Sequence, residues 1–240
     1  MYVQFTGSVY GDALDRPGSA QGTVQGAAIG AVASGQLDAL LAFERIGARR
    51  SYERNAEIFA EGDAGDCWFK VISGTVRLCK LLADGRRHIA EFYFGGDCFG
   101  LENTPERLFS AEAVTDVIVM RYPRRATERL IDETPALARS LRDMTLHDLA
   151  NAQIRMLMLG RMSAPERVAT FLLDMFDRRD ATRALDLPMS RNDIADYLGL
   201  TIETVCRVMS AFKRDGAIDI PSPHRIELRD RPALAAIGEA

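Results

Sequence analysis

Cysteine is scarce in this 240-residue chain: Cys67, Cys79, Cys98 and Cys206 are the only four, none precedes Cys67, and none has metal-ligand spacing to another. That excludes a disulfide-stapled scaffold and a zinc module, and in a cytoplasmic setting all four are expected as reduced thiols. Histidine is rarer still. His88, His147 and His224 are far apart, and no phosphate-binding loop, nucleophile elbow or zinc-helix motif accompanies them, so no enzyme is expected. Long apolar runs are also missing, and no basic region precedes a hydrophobic stretch at the N-terminus. Neither a membrane span nor secretion is therefore expected, and the chain reads as cytoplasmic. There is no excess of positive charge: 30 Lys and Arg against 34 Asp and Glu give a formal net charge of -4. This excludes a protein that coats nucleic acid indiscriminately, but not one that reads a particular sequence.

What is present is a 47% hydrophobic composition, ample for the cores of one large or two small domains. Residues 1 to about 35 are rich in Gly, Ala, Ser and Gln without lasting periodicity and read as a disordered or low-complexity tail. Leu37, Leu40, Leu41 and Ile46 suggest a short helix. From about Arg49 to Pro123 the pattern becomes short strands and turns, as in a barrel or jelly roll. Glu61-Gly62-Asp63 and Ala83-Asp84-Gly85 are turn signals, the second joining Val76 to Leu82 with Arg87 to Phe94 as a hairpin.

Thr134-Pro135 then starts a long helix, with proline where no amide is needed. Its apolar residues Leu137, Leu141, Met144, Leu149, Ala152, Met156 and Leu159 either pack on the barrel or meet a second subunit. Ser163, Pro165 and Glu166 form a capping box that opens the next helix and marks a domain hinge.

The most informative stretch is Met189 to Ile218, which reads as two capped helices around a glycine turn. Ser190 and Asp193 have capping-box spacing, Gly199 breaks the first helix, and Thr201 can cap the second. Val205, Val208, Met209 and Phe212 bury one side of that second helix. Thr201, Glu203, Thr204, Arg207, Ser210 and Arg214 stand on the other, until Gly216 ends the helix. A helix-turn-helix puts the start of its second helix in the major groove. Arg207 can bind guanine O6 and N7 with two hydrogen bonds, and Glu203, one turn away, can accept from cytosine N4. The competing reading is an i,i+4 ion pair on a solvated helix. Ala217 to Ile220 and Arg225 to Leu228, around Pro221 and Pro223, look like a two-stranded wing.

These residues resemble the DNA-binding domain of the Crp/Fnr superfamily of transcription regulators, named for the cyclic AMP receptor protein and the fumarate-nitrate reductase regulator. Its oxygen-regulatory branch carries Glu-x-x-Ser-Arg in the recognition helix, and the run here is Glu203-Thr204-Val205-Cys206-Arg207. Cys206 departs from the family's serine. The resemblance implies an α+β chain: a cyclic-nucleotide-binding-like β jelly roll over 36–133, a dimerisation helix over 134–162 and a winged helix-turn-helix over 163–240. It also implies a homodimer on a palindrome close to TTGAT-N4-ATCAA, with RNA polymerase as a further partner. The DNA-binding set is then Glu203, Arg207, Cys206, Thr201, Thr204, Ser190, Arg191, Ser210 and Arg214. Leu141, Met144, Leu149, Ala152, Met156 and Leu159 are the dimerisation set.

Two sensor chemistries of the family are not matched. Cyclic-AMP-binding relatives hold the ribose and phosphate with Gly-Glu and Arg-Ser, whereas this chain has Gly100-Leu101 and Phe109-Ser110 there, with Arg107 displaced by two residues. An unpaired anion in a partly buried pocket is costly. An iron-sulfur cluster needs four converging thiolates, and the family's N-terminal cysteine group is missing. No cofactor is therefore expected. FGLE followed by FSAEA is similar to the cluster-less FixK-type branch, which controls microaerobic respiration and nitrogen-fixation genes. Alternatives that stay open are an unidentified effector in an apolar pocket near Phe92, Phe94 and Phe99, and an interaction module without DNA binding. Cys206 is either a packing residue or a redox brake whose oxidation sets negative charge against phosphates.

Overall fold

The computed structural model describes residues 45–102 and 104–238. The expected N-terminal tail lies outside them, as does all of the expected short helix except Ile46.

Eight strands build two four-stranded antiparallel sheets. β1 (Ala48–Tyr52), β8 (Val117–Pro123), β3 (Cys67–Ser73) and β6 (Cys98–Phe99) form one, in the order β1-β8-β3-β6. β2 (Glu57–Phe59), β7 (Ser110–Ala113), β4 (Val76–Leu81) and β5 (Arg87–Tyr93) form the other, in the order β2-β7-β4-β5. Non-sequential neighbours in both sheets give the jelly-roll topology expected from the many short strands. Strand alternation sends Phe59, Phe69, Val71, Val76, Phe99, Val117 and Val119 into the space between the sheets. The rings of Phe69 and Phe99 lie 5.1 Å apart and those of Phe59 and Phe69 5.6 Å apart. Gly74 turns the chain between β3 and β4 at φ +90°, where an added Cβ would sit 2.2 Å from the Asp116 carbonyl oxygen. Only glycine fits there. The hairpin expected around Asp84-Gly85 is present, with Leu81 opposite Arg87.

Helices follow. α1 (Arg124–Glu133) leads into α2 (Pro135–Arg161), with proline in its first turn as expected. α3 (Ala164–Arg178) begins at the capping box of Ser163 and Glu166. No described helix is long and apolar enough to cross a membrane. β9 (Ala184–Asp186), α4 (Arg191–Leu198), α5 (Ile202–Arg214), β10 (Ile218–Ser222), β11 (Arg225–Leu228) and α6 (Arg231–Gly238) complete the chain. The expected two-stranded wing is a three-stranded sheet in the order β10-β11-β9. Three residues of β9 carry too short an alternation to announce themselves.

The second core is shared between the two halves of the molecule. Ile89, Phe92 and Phe94 of the jelly roll join Phe171, Leu172, Phe176, Ile194, Tyr197 and Leu198 of the helical part. Phe92 and Tyr197 ring centroids are 5.3 Å apart. This corrects the grouping of Phe92, Phe94 and Phe99 around one pocket. Tyr93, on the opposite face of its strand, meets Phe99 at 5.4 Å, whereas Phe92 and Phe94 face α3 and α4. Successive strand residues point to opposite faces, so the phenylalanines cannot line one cavity. Phe69 and Phe99 stack instead between the two sheets, beside Phe59.

Candidate nucleic-acid interface

α4, the glycine turn and α5 form because each local signal is satisfied. The Ser190 hydroxyl accepts from the Asp193 amide at 3.1 Å, and the Asp193 carboxylate accepts from the Ser190 amide at 3.0 Å. Gly199 adopts the left-handed conformation at φ +62°, and the Leu200 amide closes the helix end on the Ala195 carbonyl at 3.0 Å. Thr201 then caps α5, accepting from the Thr204 amide at 3.3 Å. Val205, Val208, Met209 and Phe212 are buried, which turns the opposite face outward.

That outward face carries Thr201, Glu203, Cys206, Arg207, Ser210 and Arg214, all exposed, with Thr204 half-buried at its edge. The Arg207 guanidinium donates to the Thr204 hydroxyl at 3.4 Å, and the Thr204 and Thr201 hydroxyls are 3.1 Å apart. Among the described residues Glu203 and Arg207 form no ion pair, so the competing reading of a structural i,i+4 bridge has no contact behind it. The Glu203 backbone amide and the Thr201 hydroxyl hold the Glu203 carboxyl below the usual range, with Arg207 contributing less. It is a ready acceptor at neutral pH. Lys213 is turned away to Asp219 of β10 at 3.0 Å.

Two residues of the expected set have partners within the protein. The Ser190 hydroxyl is engaged within the capping box, where it also donates to Asp193 at 2.8 Å. Arg191 lies half-buried under the recognition helix with its guanidinium against the Met209 sulfur. Burial lowers its pKa.

The dimerisation set also splits. Met158, within the same stretch of α2, is buried, and Leu159 is half-buried, 3.6 Å from where a Cβ on Gly199 would stand. Leu141 and Met144 are half-buried, and Leu149, Ala152 and Met156 are exposed. Leu146, Ile154 and Leu157 are exposed too, at 54–58% together with Leu149, and Met156 reaches 74%. The helix packs on its own chain at both ends and presents its apolar middle, so one stripe does not describe it.

Arg107 is the residue that its sequence position did not disclose. It is 2% exposed and points inward, its guanidinium 4.3 Å from the Phe59 ring centroid. It donates to the Gly100 carbonyl at 2.9 Å, to the Cys67 carbonyl, and to the Glu102 carboxylate at 3.3 Å. Its two terminal nitrogens are directed at backbone and carboxylate oxygens, and its Nε is buried without a partner among the described residues.

The four thiols divide by exposure. Burial raises Cys67 and pushes Cys79 up to about 11 and Cys98 up to about 12, while Cys206 is exposed. A further feature was not legible. An open cleft of about 800 Å³ separates the β4–β5 hairpin, through Leu82, Arg86 and His88, from Thr201 and Thr204 at the start of α5.

Comparison with known proteins agrees with this geometry. Residues 49–134 match the cyclic nucleotide-binding domain family, and residues 166–237 match the Crp-like helix-turn-helix domain family. The nitrogen fixation regulation protein FixK of Azorhizobium caulinodans is 43% identical over 194 residues, covering 79% of this chain and 78% of that protein. FixK of Bradyrhizobium diazoefficiens is 42% identical over 190 residues, covering 77% and 80%. The solved structure of FixK2 from Bradyrhizobium japonicum superposes with a TM-score of 0.78 at 41% identity, covering 81% of this chain and 98% of that one. The chain therefore belongs to the FixK branch of the Crp/Fnr superfamily of helix-turn-helix transcription regulators.

Proposed function

We propose that this transcriptional activator acts as a homodimer on a TTGAT-N4-ATCAA-like palindrome, without a cyclic nucleotide or an iron-sulfur cluster. Its targets are nitrogen-fixation genes, as the names of its relatives suggest, together with genes of oxygen-limited respiration, as the family resemblance implies. The observation that supports this reading is that Glu203 and Arg207, one turn apart on the open face of a capped helix, form no ion pair with each other. Arg207 would bind guanine in two places while Glu203 accepts from cytosine of the neighbouring pair. Thr201, Thr204, Ser210 and Arg214 flank them for backbone contacts, assisted by the amides at the start of α5. Cys206 lies within the same surface.

The boundaries that suit this function are a jelly roll over 36–133, α2 with its flanks over 134–162 and the DNA-binding domain over 163–240. The exposed middle of α2 pairs with its twin, which sets two recognition helices about 34 Å apart, one turn of the duplex. DNA-bound dimers would then recruit RNA polymerase in the cytoplasm. The engagement of Arg107 by the Gly100 carbonyl and the Glu102 carboxylate favours effector-free action. Cys206 favours a second layer: of the four thiols it is the exposed one, and its oxidation to an acid would set negative charge against the phosphates.

The test is binding of reduced protein to the TTGAT-N4-ATCAA duplex and a scrambled control at fixed salt, with and without cyclic AMP. Specific binding without nucleotide is expected. Binding that requires cyclic AMP, or no preference for the palindrome, would sink the proposal.

A further inference from the structure

The carboxylate that caps the first helix of the helix-turn-helix is also where the jelly roll takes hold of it. Asp193 is 4% exposed, although acidic residues are almost never buried without a partner. One carboxylate oxygen, Oδ2, serves Ser190 within the capping box. The other, Oδ1, receives two guanidiniums from the jelly roll: Arg77 of β4 at 3.0 Å and Arg87 of β5. Arg87 also donates from Nε to Asp196, one turn along α4, at 2.8 Å. Arg77 is itself tied to Glu112 of β7 through its Nε at 2.7 Å. The pairs to Asp193 and Asp196 span 106 to 116 residues of sequence and join two adjacent strands to α4, with β7 tied in behind them through Glu112.

The apolar part of this contact, Phe92 and Phe94 against Phe171 and Tyr197, holds the two halves together, but the hydrophobic driving force behind it is non-directional. Placed charges supply the direction. We propose that Arg77 and Arg87 are positioning residues for DNA recognition, fixing through Asp193 and Asp196 the angle at which the jelly roll presents the recognition helix. The structure thereby sets the half-site spacing that the dimer accepts. The inference rests on the proposed dimer and palindrome. Base reading itself stays with α5, whose packing on α4 none of these arginines enters.

Spacing separates this role from a merely structural one. Each base pair inserted between half-sites turns the second half-site by about a tenth of a helical turn, which a firmly docked recognition helix resists and a loosened one follows. The experiment measures affinity of the full chain for TTGAT and ATCAA half-sites separated by four, five and six base pairs, beside a scrambled duplex. Wild type, R77M/R87M and the charge-retaining R77K/R87K are compared. The double methionine variant is expected to keep its preference over scrambled DNA while its four-to-five spacing ratio falls about tenfold, an ordinary size for coupling between neighbouring groups. The lysine variant is expected to recover part of that ratio. An unchanged ratio in R77M/R87M would overturn the inference. Should that variant not fold, Asp196→Asn, which lies outside the capping box, is read in its place, and a wild-type ratio there overturns the inference equally. No palindrome preference in wild type would instead remove the reading on which the inference rests.

Discussion

Arg207 leans on Thr204, not on Glu203: its guanidinium stands 3.4 Å from the Thr204 hydroxyl. No ion pair between them has to break before the carboxylate and the guanidinium of the recognition helix meet DNA. Had they been paired, each base contact would first have to break an ion pair worth a few tenths of a kcal/mol. The polar work of the α5 N-terminus is done by two threonines instead.

Arg107 acts as an internal strut of the jelly roll. Replacing it with methionine leaves the buried carbonyls of Gly100 and Cys67 short of a donor, at about 1 to 3 kcal/mol for each unsatisfied group. Arg107→Met is expected to lower stability by about 2 to 4 kcal/mol in urea unfolding. Arg86→Met, at an exposed side chain paired with Asp84 two residues away, is expected to stay within about 0.5 kcal/mol of wild type. Equal stability of Arg107→Met and wild type would show that the guanidinium is dispensable.

The apolar middle of α2 has a matching test. Leu149→Glu with Leu157→Glu places charge on residues 54% and 57% exposed, so the fold of one chain is not strained. In a dimer the same carboxylates would be buried against their counterparts. Sedimentation is expected to show a dimer for wild type and a monomer for the variant at equal concentration. A variant that remains dimeric would move the interface elsewhere.

Thiol chemistry should sort the cysteines by pH and exposure. Only the thiolate reacts, and burial keeps Cys79 and Cys98 protonated until about pH 11 and 12, so raising the pH from 7 to 9 exposes neither. Native protein is expected to lose one thiol quickly to iodoacetamide, at Cys206, and all four once unfolded. Peroxide should weaken DNA binding of wild type and leave Cys206→Ser, which carries the family's usual residue, unaffected. Undiminished binding by oxidised wild type would remove the redox brake.

How much of this was legible follows from range. The caps at Ser163, Ser190 and Thr201, the turn at Gly199 and the hairpin at Gly85 are each decided within about five residues, and each stands where the sequence puts it. Arg107 follows an isolated bridge between Ala64 and Glu106, and its own backbone pairs with Gly62 and Asp63, contacts that no local pattern announces. Phe92 and Phe94 were readable as buried, but not as buried against a helix a hundred residues later. Arg167 is similar: it ties the ends of α2 and α4 by donating to the Leu159 and Leu198 carbonyls at 2.8 and 2.9 Å, a task visible only once both helix ends meet. Ser190 and Arg191 carry intramolecular tasks that the motif alone did not show, capping α4 and contacting Met209, since capping and support also use polar residues.

Base reading by Arg207 is tested most directly by a cycle that pairs Arg207→Ala with replacement of the guanine in each TTGAT half-site, measured at one salt concentration. On the intact palindrome the variant is expected to lose about 1 to 3 kcal/mol. On the substituted palindrome, wild type and variant are expected to bind alike, because the contact is already gone. A loss of the same size on both duplexes would mean that Arg207 meets only the backbone, and the assignment of the recognition surface would fall with it.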